Sequence, residues 1–133
     1  MSKIAQALMH LNGILENFIC IEQRFVMQEV LRGEEGEWMA DTILSIAETV
    51  SNMPLPYKTD GQGGKAIAHL HYFKGACDWW ITERDSTEEQ IQAFGRADLG
   101  YGPELGYISI KEMIENGVEL DLYWKPKQLR DCR

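Results

Sequence analysis

The chain has 133 residues, of which 44% are hydrophobic and 26% charged, with a formal net charge of −8. This fits one globular domain that buries about two thirds of its unfolded surface, so its core needs no metal or disulfide staple. The charge disfavours direct nucleic-acid binding, which needs a basic face; no apolar run approaches the ~20 residues of a membrane span, and the opening MSKIAQALMHLNG is too polar for a secretory signal.

The first half reads as helix. Ile4, Leu8, Leu11, Leu15 and Phe18 recur at 4-3-4-3 spacing, and Phe25 continues the seam, so a helix is expected over 3–32 with Ser2 as its N-cap and Gly33 as its stop. Gly13 either weakens this helix or marks close packing. After the GEEGE turn a second helix is expected over 37–51, with Trp38, Met39, Ile43, Ile46, Ala47 and Val50 on its apolar face. Together the two make an αα-hairpin over 3–51. The first helix's seam is also a candidate homodimer interface, through Leu11 and Phe18. Residues 52–64, with two prolines and three glycines, are a long loop and the one clear break in composition.

The second half changes period. Strand character runs over 66–73 and 79–84, with KGACD (74–78) as the intervening hairpin turn. The polar STEEQ follows as loop, 91–99 as a third strand, and GYGPELG (100–106) as a turn-rich loop. Ser109-x-x-Glu112 is a capping box for a short helix ending at Asn116, with Gly117 as the stop. Residues 118–124 alternate, with Val118, Leu120, Leu122 and Trp124 facing one way, and form the last strand. A basic tail occupies 126–133. The expected fold is one α+β domain over 1–133: the helical hairpin, then a small, mainly antiparallel sheet over 65–125 with a short helix before its last strand.

Charge is uneven. From Asp78 to Asp121 there are eleven acids and three bases, and from Lys125 to Arg133 four bases and one acid. An acidic body favours basic protein partners. Cys20, Cys77 and Cys132 are an unclustered set without CxxC spacing, which suits a reducing cytoplasm and argues against a zinc cage.

For chemistry, His69 and His71 lie two apart on a strand, share a face, and are the candidate metal ligands if a carboxylate joins them. Glu83, Asp85, Asp98, Glu104, Glu119 and Asp121 fall at strand ends or in adjoining loops; two of them clustered would serve as an acid/base pair or hold Mg²⁺, and Glu83, Asp98, Glu104 and Asp121 are the candidate catalytic acids. No nucleophile motif and no cofactor motif is present, so no cofactor is expected. Trp79 and Trp80 must point to opposite faces of their strand, so one enters the core and the other is exposed or covered. Together with Tyr101 and Tyr107 they are the candidate binding residues.

One resemblance joins these blocks. Trp79, Trp80, Thr82 and Glu83, a Phe94-Gly95 turn, Glu104-Leu105-Gly106-Tyr107, and Glu119, Asp121 and Leu122 before a proline recur in that order. Over roughly residues 56–130 the chain resembles an uncharacterised domain family found in plasmid, phage and integrative-element proteins and within large polyvalent proteins. The resemblance implies a mobile-element accessory protein, without naming a reaction. The expectation is a small acidic protein that binds a basic host or element protein, acting against host defence or as a nucleic-acid mimic. The alternative is a metal-assisted hydrolase or nuclease built on the carboxylates and histidines.

Overall fold

The structure, a computed structural model, describes residues 1–132; Arg133, the last cation of the basic end, lies outside the described residues. The chain is α+β as expected, but its first helical segment is broken. Residues 3–32 form α1 (Lys3–Leu11), a 3-10 turn (Ile14–Asn17) and α2 (Ile21–Leu31). Gly13 makes the break: its φ of −112° and ψ of −112° are not helical, and a Cβ there would lie 2.9 Å from the Met9 carbonyl oxygen. The apolar seam survives through the break, since Leu11, Leu15 and Phe18 are all buried. Phe25 does not follow it. The helix restarts at Ile21 in a new phase and leaves Phe25 64% exposed. Ser2 caps α1 as expected, its Oγ accepting from the Ala5 N–H at 3.1 Å.

Helix α3 (Gly36–Asn52) is the element against which α1 and α2 pack. Met39, Ile43, Ala47 and Val50 are buried on it. Trp38 is not; it lies at the surface with its ring centroid 6.2 Å from that of Tyr123.

The second half contains β1 (Ile67–Ala68), β2 (Leu70–Lys74), β3 (Cys77–Glu83), β4 (Ala93–Asp98), β5 (Pro103–Ile108), α4 (Ile110–Glu115), β6 (Glu119–Leu120) and β7 (Lys127–Gln128). Five strands form one antiparallel sheet in the order β5, β4, β3, β2, β6, and β1 pairs with β7 in a separate antiparallel ribbon. The hairpin turn between β2 and β3 is only Gly75-Ala76, tighter than the five residues expected, because Lys74 already pairs with Cys77. Gly75 has φ +58°, the left-handed geometry that glycine supplies at the first position of a type II′ turn.

Three other expectations change. GYGPELG is mostly strand, β5, with the turn confined to its first residues. Phe94-Gly95 is no turn but the middle of β4. A Cβ on Gly95 would sit 1.9 Å from the Trp80 carbonyl oxygen, beside the bulge that leaves Thr82 out of register between Ile81 and Glu83. The last strand pairs only through Glu119 and Leu120; the chain then turns, with the Trp124 N–H on the Asp121 carbonyl at 3.2 Å. Val118 and Leu120 enter the main core, whereas the Trp124 indole crosses to the other face of the sheet and donates to the Ala68 carbonyl at 3.0 Å. The capping box holds, with Ser109 Oγ accepting from the Glu112 N–H at 3.1 Å and Gly117 at φ +73°.

The helices cover the sheet face that carries Leu70, Tyr72, Trp79 and Ile81. The opposite face holds a second, smaller core in which Trp80 packs with Ala66, Ala68 and Leu129. Trp79 and Trp80 do point to opposite faces, and Trp80, on the face away from the helices, is the more deeply buried, at 3% exposure. The basic end supplies this cover: β7 and the 3-10 turn Leu129–Asp131 lie over Trp80.

Candidate functional site

The polar centre of the second face is His71. The two-residue turn sets His71 opposite Trp80 and Phe73 opposite Asp78, so Asp78 reaches His71 diagonally on the same face. Beyond β6, the Asp121 N–H bonds the His71 carbonyl at 2.8 Å, which brings the Asp121 side chain to the same ring. His71 Nε2 lies 2.8 Å from Asp78 Oδ1, and Nδ1 lies 3.0 Å from Asp121 Oδ2. The imidazole stacks with Trp80 at 5.4 Å and meets Trp124 at 5.1 Å. Arg96 lies 4.3 Å over the other part of this stack, on Trp80, and Lys127 lies 5.1 Å from the Trp124 ring. Both His71 nitrogens are therefore occupied by carboxylates and its ring by aromatics, which fixes the side chain and leaves neither nitrogen free for a metal.

The face shared by His69 and His71 that the spacing predicts is not kept: Ala68 packs with Trp80 and Leu70 with the helix-side core, so the alternation slips at His69, which lies in the gap between β1 and β2 with its N–H on the Ile81 carbonyl at 2.8 Å. Its side chain lines a cleft of about 440 Å³ between α3 and residues 120–126, with Thr42, Ser45, Asp121 and Trp124. Burial holds its pKa below the ordinary histidine value, favouring the neutral ring.

The four candidate acids are not gathered. Glu83 is 4% exposed and turned toward the 52–64 loop. Its Oε1 accepts from the Tyr57 N–H at 2.9 Å and its Oε2 from the Thr59 N–H at 2.9 Å and from the Thr59 hydroxyl. Tyr57 has φ +70°, an unfavourable conformation for a bulky L-residue, and the Glu83 bond helps to offset it. Asp98 ends β4 opposite Asp78 and accepts from the Gly100 N–H at 2.9 Å, closing the β4–β5 turn. Glu104 is exposed and pairs with Ala97, on the face opposite to Asp98. Asp121 belongs to His71. Among the described residues no group of three or more His, Cys, Asp or Glu side chains is placed to hold a metal ion.

The candidate binding aromatics divide by accessibility. Trp80 is enclosed. Tyr101, at the tip of the β4–β5 hairpin, is 97% exposed, and Tyr107 is 59% exposed on β5. Tyr107 meets Phe94 edge-on at 5.7 Å and donates its hydroxyl to that of Tyr57 at 3.1 Å. Trp79 is half-buried and floors a depression of about 440 Å³ with Ala97, Leu99 and Met113.

The roles of three polar organisers were not legible in the sequence. Asp85 accepts from the N–H groups of Thr87, Ile91 and Gln92 and from the Thr87 hydroxyl. Burial pushes its carboxyl pKa up, but the backbone and hydroxyl donors outweigh it and hold the pKa below the usual value. Gln90, 2% exposed, closes the same loop: its Oε1 accepts from the Asp85 N–H, and its carbonyl accepts from the N–H groups of Ile110 and Lys111, which seats α4. Across the molecule, the Gln23 amide brackets Leu120, accepting from its N–H at 2.9 Å and donating to its carbonyl at 2.8 Å. The three cysteines are free, and among the described residues no helix is long and apolar enough to cross a membrane.

The comparisons place this architecture in a family. No curated protein and no solved structure gives a significant match to the chain. A family model does match, over residues 45–128, from the second half of α3 to β7. It therefore starts earlier than the resemblance over 56–130, takes in the loop that Glu83 anchors, and leaves α1 and α2 outside. Because the match spans more than half of the chain, the protein belongs to the DUF2958 family, described as a protein of unknown function.

Proposed function

We propose that the protein acts by binding another protein through its acidic sheet-and-α4 half, as an accessory protein of a mobile genetic element. The observation that carries this reading is the dispersal of the acids between Asp78 and Asp121. Glu83, Asp85 and Asp121 are spent on internal contacts, whereas Glu88, Glu89, Glu104, Glu112, Glu115 and Glu119 are all exposed. Lys111, 3.9 Å from Glu115, offsets little of that surface. Such a surface attracts a basic partner over a Debye length and sets its orientation. The resemblance to plasmid, phage and integrative-element proteins supports the context, and the acidic surface supports action on a host protein that normally grips nucleic acid.

The test is a partner captured from host extract with the native protein. Its recovery should fall steeply between 50 and 500 mM salt, and with Glu104→Lys, Glu112→Lys and Glu119→Lys combined. A partner held equally well in both cases would overturn the reading. The homodimer expectation needs different residues from those first named, because Leu11 and Phe18 lie inside the core. The exposed apolar side chains of that region are Met9 on α1 and Ile21, Phe25 and Val26 on α2.

A further inference from the structure

The five-stranded sheet has two edges, and they differ. At one, β6 is short and its Leu120 is bracketed by the Gln23 amide. At the other, β5 is six residues long, and among the described residues its backbone hydrogen-bonds only to β4. Folded proteins usually blunt such an edge with lysine, a bulge, an interior proline or a covering segment. Pro103 stands only at the first position of β5, the register with β4 is unbroken, and Leu105 and Tyr107 are 53% and 59% exposed. Gly106 has nothing within 4 Å of where a Cβ would stand, so the sheet face over the middle of β5 is uncovered.

β5 is also the wall shared by two depressions on opposite faces of the sheet. One, floored by Trp79 and Ala97, is about 440 Å³; the other, about 310 Å³, lies between Leu105, Phe94 and the loop at Thr59–Gly61. A strand laid along β5 sends alternate side chains to opposite faces, one set toward each depression. An acid stands at both, Glu112 at the first and Asp60 at the second, with Glu104 on β5 itself. The cation at the first, Lys74, is turned to the Asn116 carbonyl at 2.7 Å.

We infer that the free edge of β5 receives an extended, basic segment of a partner protein by strand addition, with its alternate side chains seated in the two depressions. This rests on the proposed binding function and names its site. Main-chain hydrogen bonds to β5 supply affinity, and the acids select lysine or arginine.

The test uses the full chain and a synthetic acetylated peptide of eight residues alternating valine and lysine, its glutamate counterpart, and a version N-methylated at alternate residues. The lysine peptide should bind and slow amide exchange selectively at β5; the glutamate and N-methylated versions should bind at least tenfold more weakly. Leu105→Lys, at an exposed position, should weaken binding without altering the fold, and Gly106→Pro should abolish it. Equal binding of the N-methylated peptide would overturn strand addition while leaving an acidic binding surface intact. Lack of binding by the lysine peptide, or protection away from β5, would overturn the site. A doubled mass in sedimentation that Leu105→Lys abolishes would also overturn it, assigning the edge to a second copy of the chain.

Discussion

Replacing Glu83 tests whether this residue, first in the run of candidate catalytic acids, is an anchor. Glu83→Ala strands three donors: the Tyr57 and Thr59 N–H groups and the Thr59 hydroxyl. Bonds to a charged acceptor contribute about 1.5–3 kcal/mol each, but they are not additive, and water reaches the exposed Tyr57 side of the loop. A net loss of about 3 kcal/mol follows, which for a domain of this size lowers Tm by roughly 10 °C. Glu83→Gln keeps one acceptor oxygen but turns an NH₂ toward donors, so it should fall between alanine and the native chain. Thermal unfolding followed by circular dichroism at pH 7 reads the order, and hydrogen exchange at Tyr57 and Thr59 should speed up in both variants. A Glu83→Ala protein within about 2 °C of the native chain would refute an anchoring role for Glu83. So would a Glu83→Gln protein more stable than the native one, the mark of a strained functional acid.

Other substitutions probe the remaining contacts. Gly95→Ala forces a methyl into the Trp80 carbonyl and should cost about 3 kcal/mol or more, seen as a collapse of soluble yield or of Tm; tolerance would mean that β3 and β4 are further apart than 1.9 Å allows. His71→Ala leaves Asp78 and Asp121 without the ring between them and should cost about 2 kcal/mol, discounted for their partial exposure; adding Asp78→Asn should recover part of this in a double-mutant cycle, and strict additivity would count against the pairing. Asp85 has a folded pKa below its unfolded value of 3.8. Its contribution is therefore present above roughly pH 4 and lost as pH falls through the lower folded value, so the Tm gap between the native chain and Asp85→Asn should narrow in acid. A gap unchanged down to pH 2 would contradict the loop geometry.

Much of the fold was legible because it follows periodicity and capping. Leu11, Leu15 and Phe18 face inward as their spacing requires, Ser109 caps α4, and Trp79 and Trp80 separate across the sheet. What failed turned on one or two residues that reset a phase. Gly13 breaks the first helix, and nothing in the spacing alone separates a tolerated helical glycine from a break; the restart at Ile21 then exposes Phe25. The site failed through register. A five-residue turn over 74–78 leaves Asp78 in the loop, whereas the Gly75-Ala76 turn draws it into β3 beside His71. A glycine with a small neighbour between two aromatic strands was the available signal. Glu83 and Asp85 have no such signal, since their partners are backbone N–H groups of loops whose course no pattern encodes.

If the acids of the sheet serve as anchors and, as proposed, as a partner-binding surface, they form no metal centre. Calorimetric titration of Mg²⁺ and Mn²⁺ into the full chain, to millimolar concentration, separates the two roles. The native protein should give no saturable heat. A stoichiometric binding curve that disappears in Asp121→Asn or His71→Gln would contradict the anchoring role.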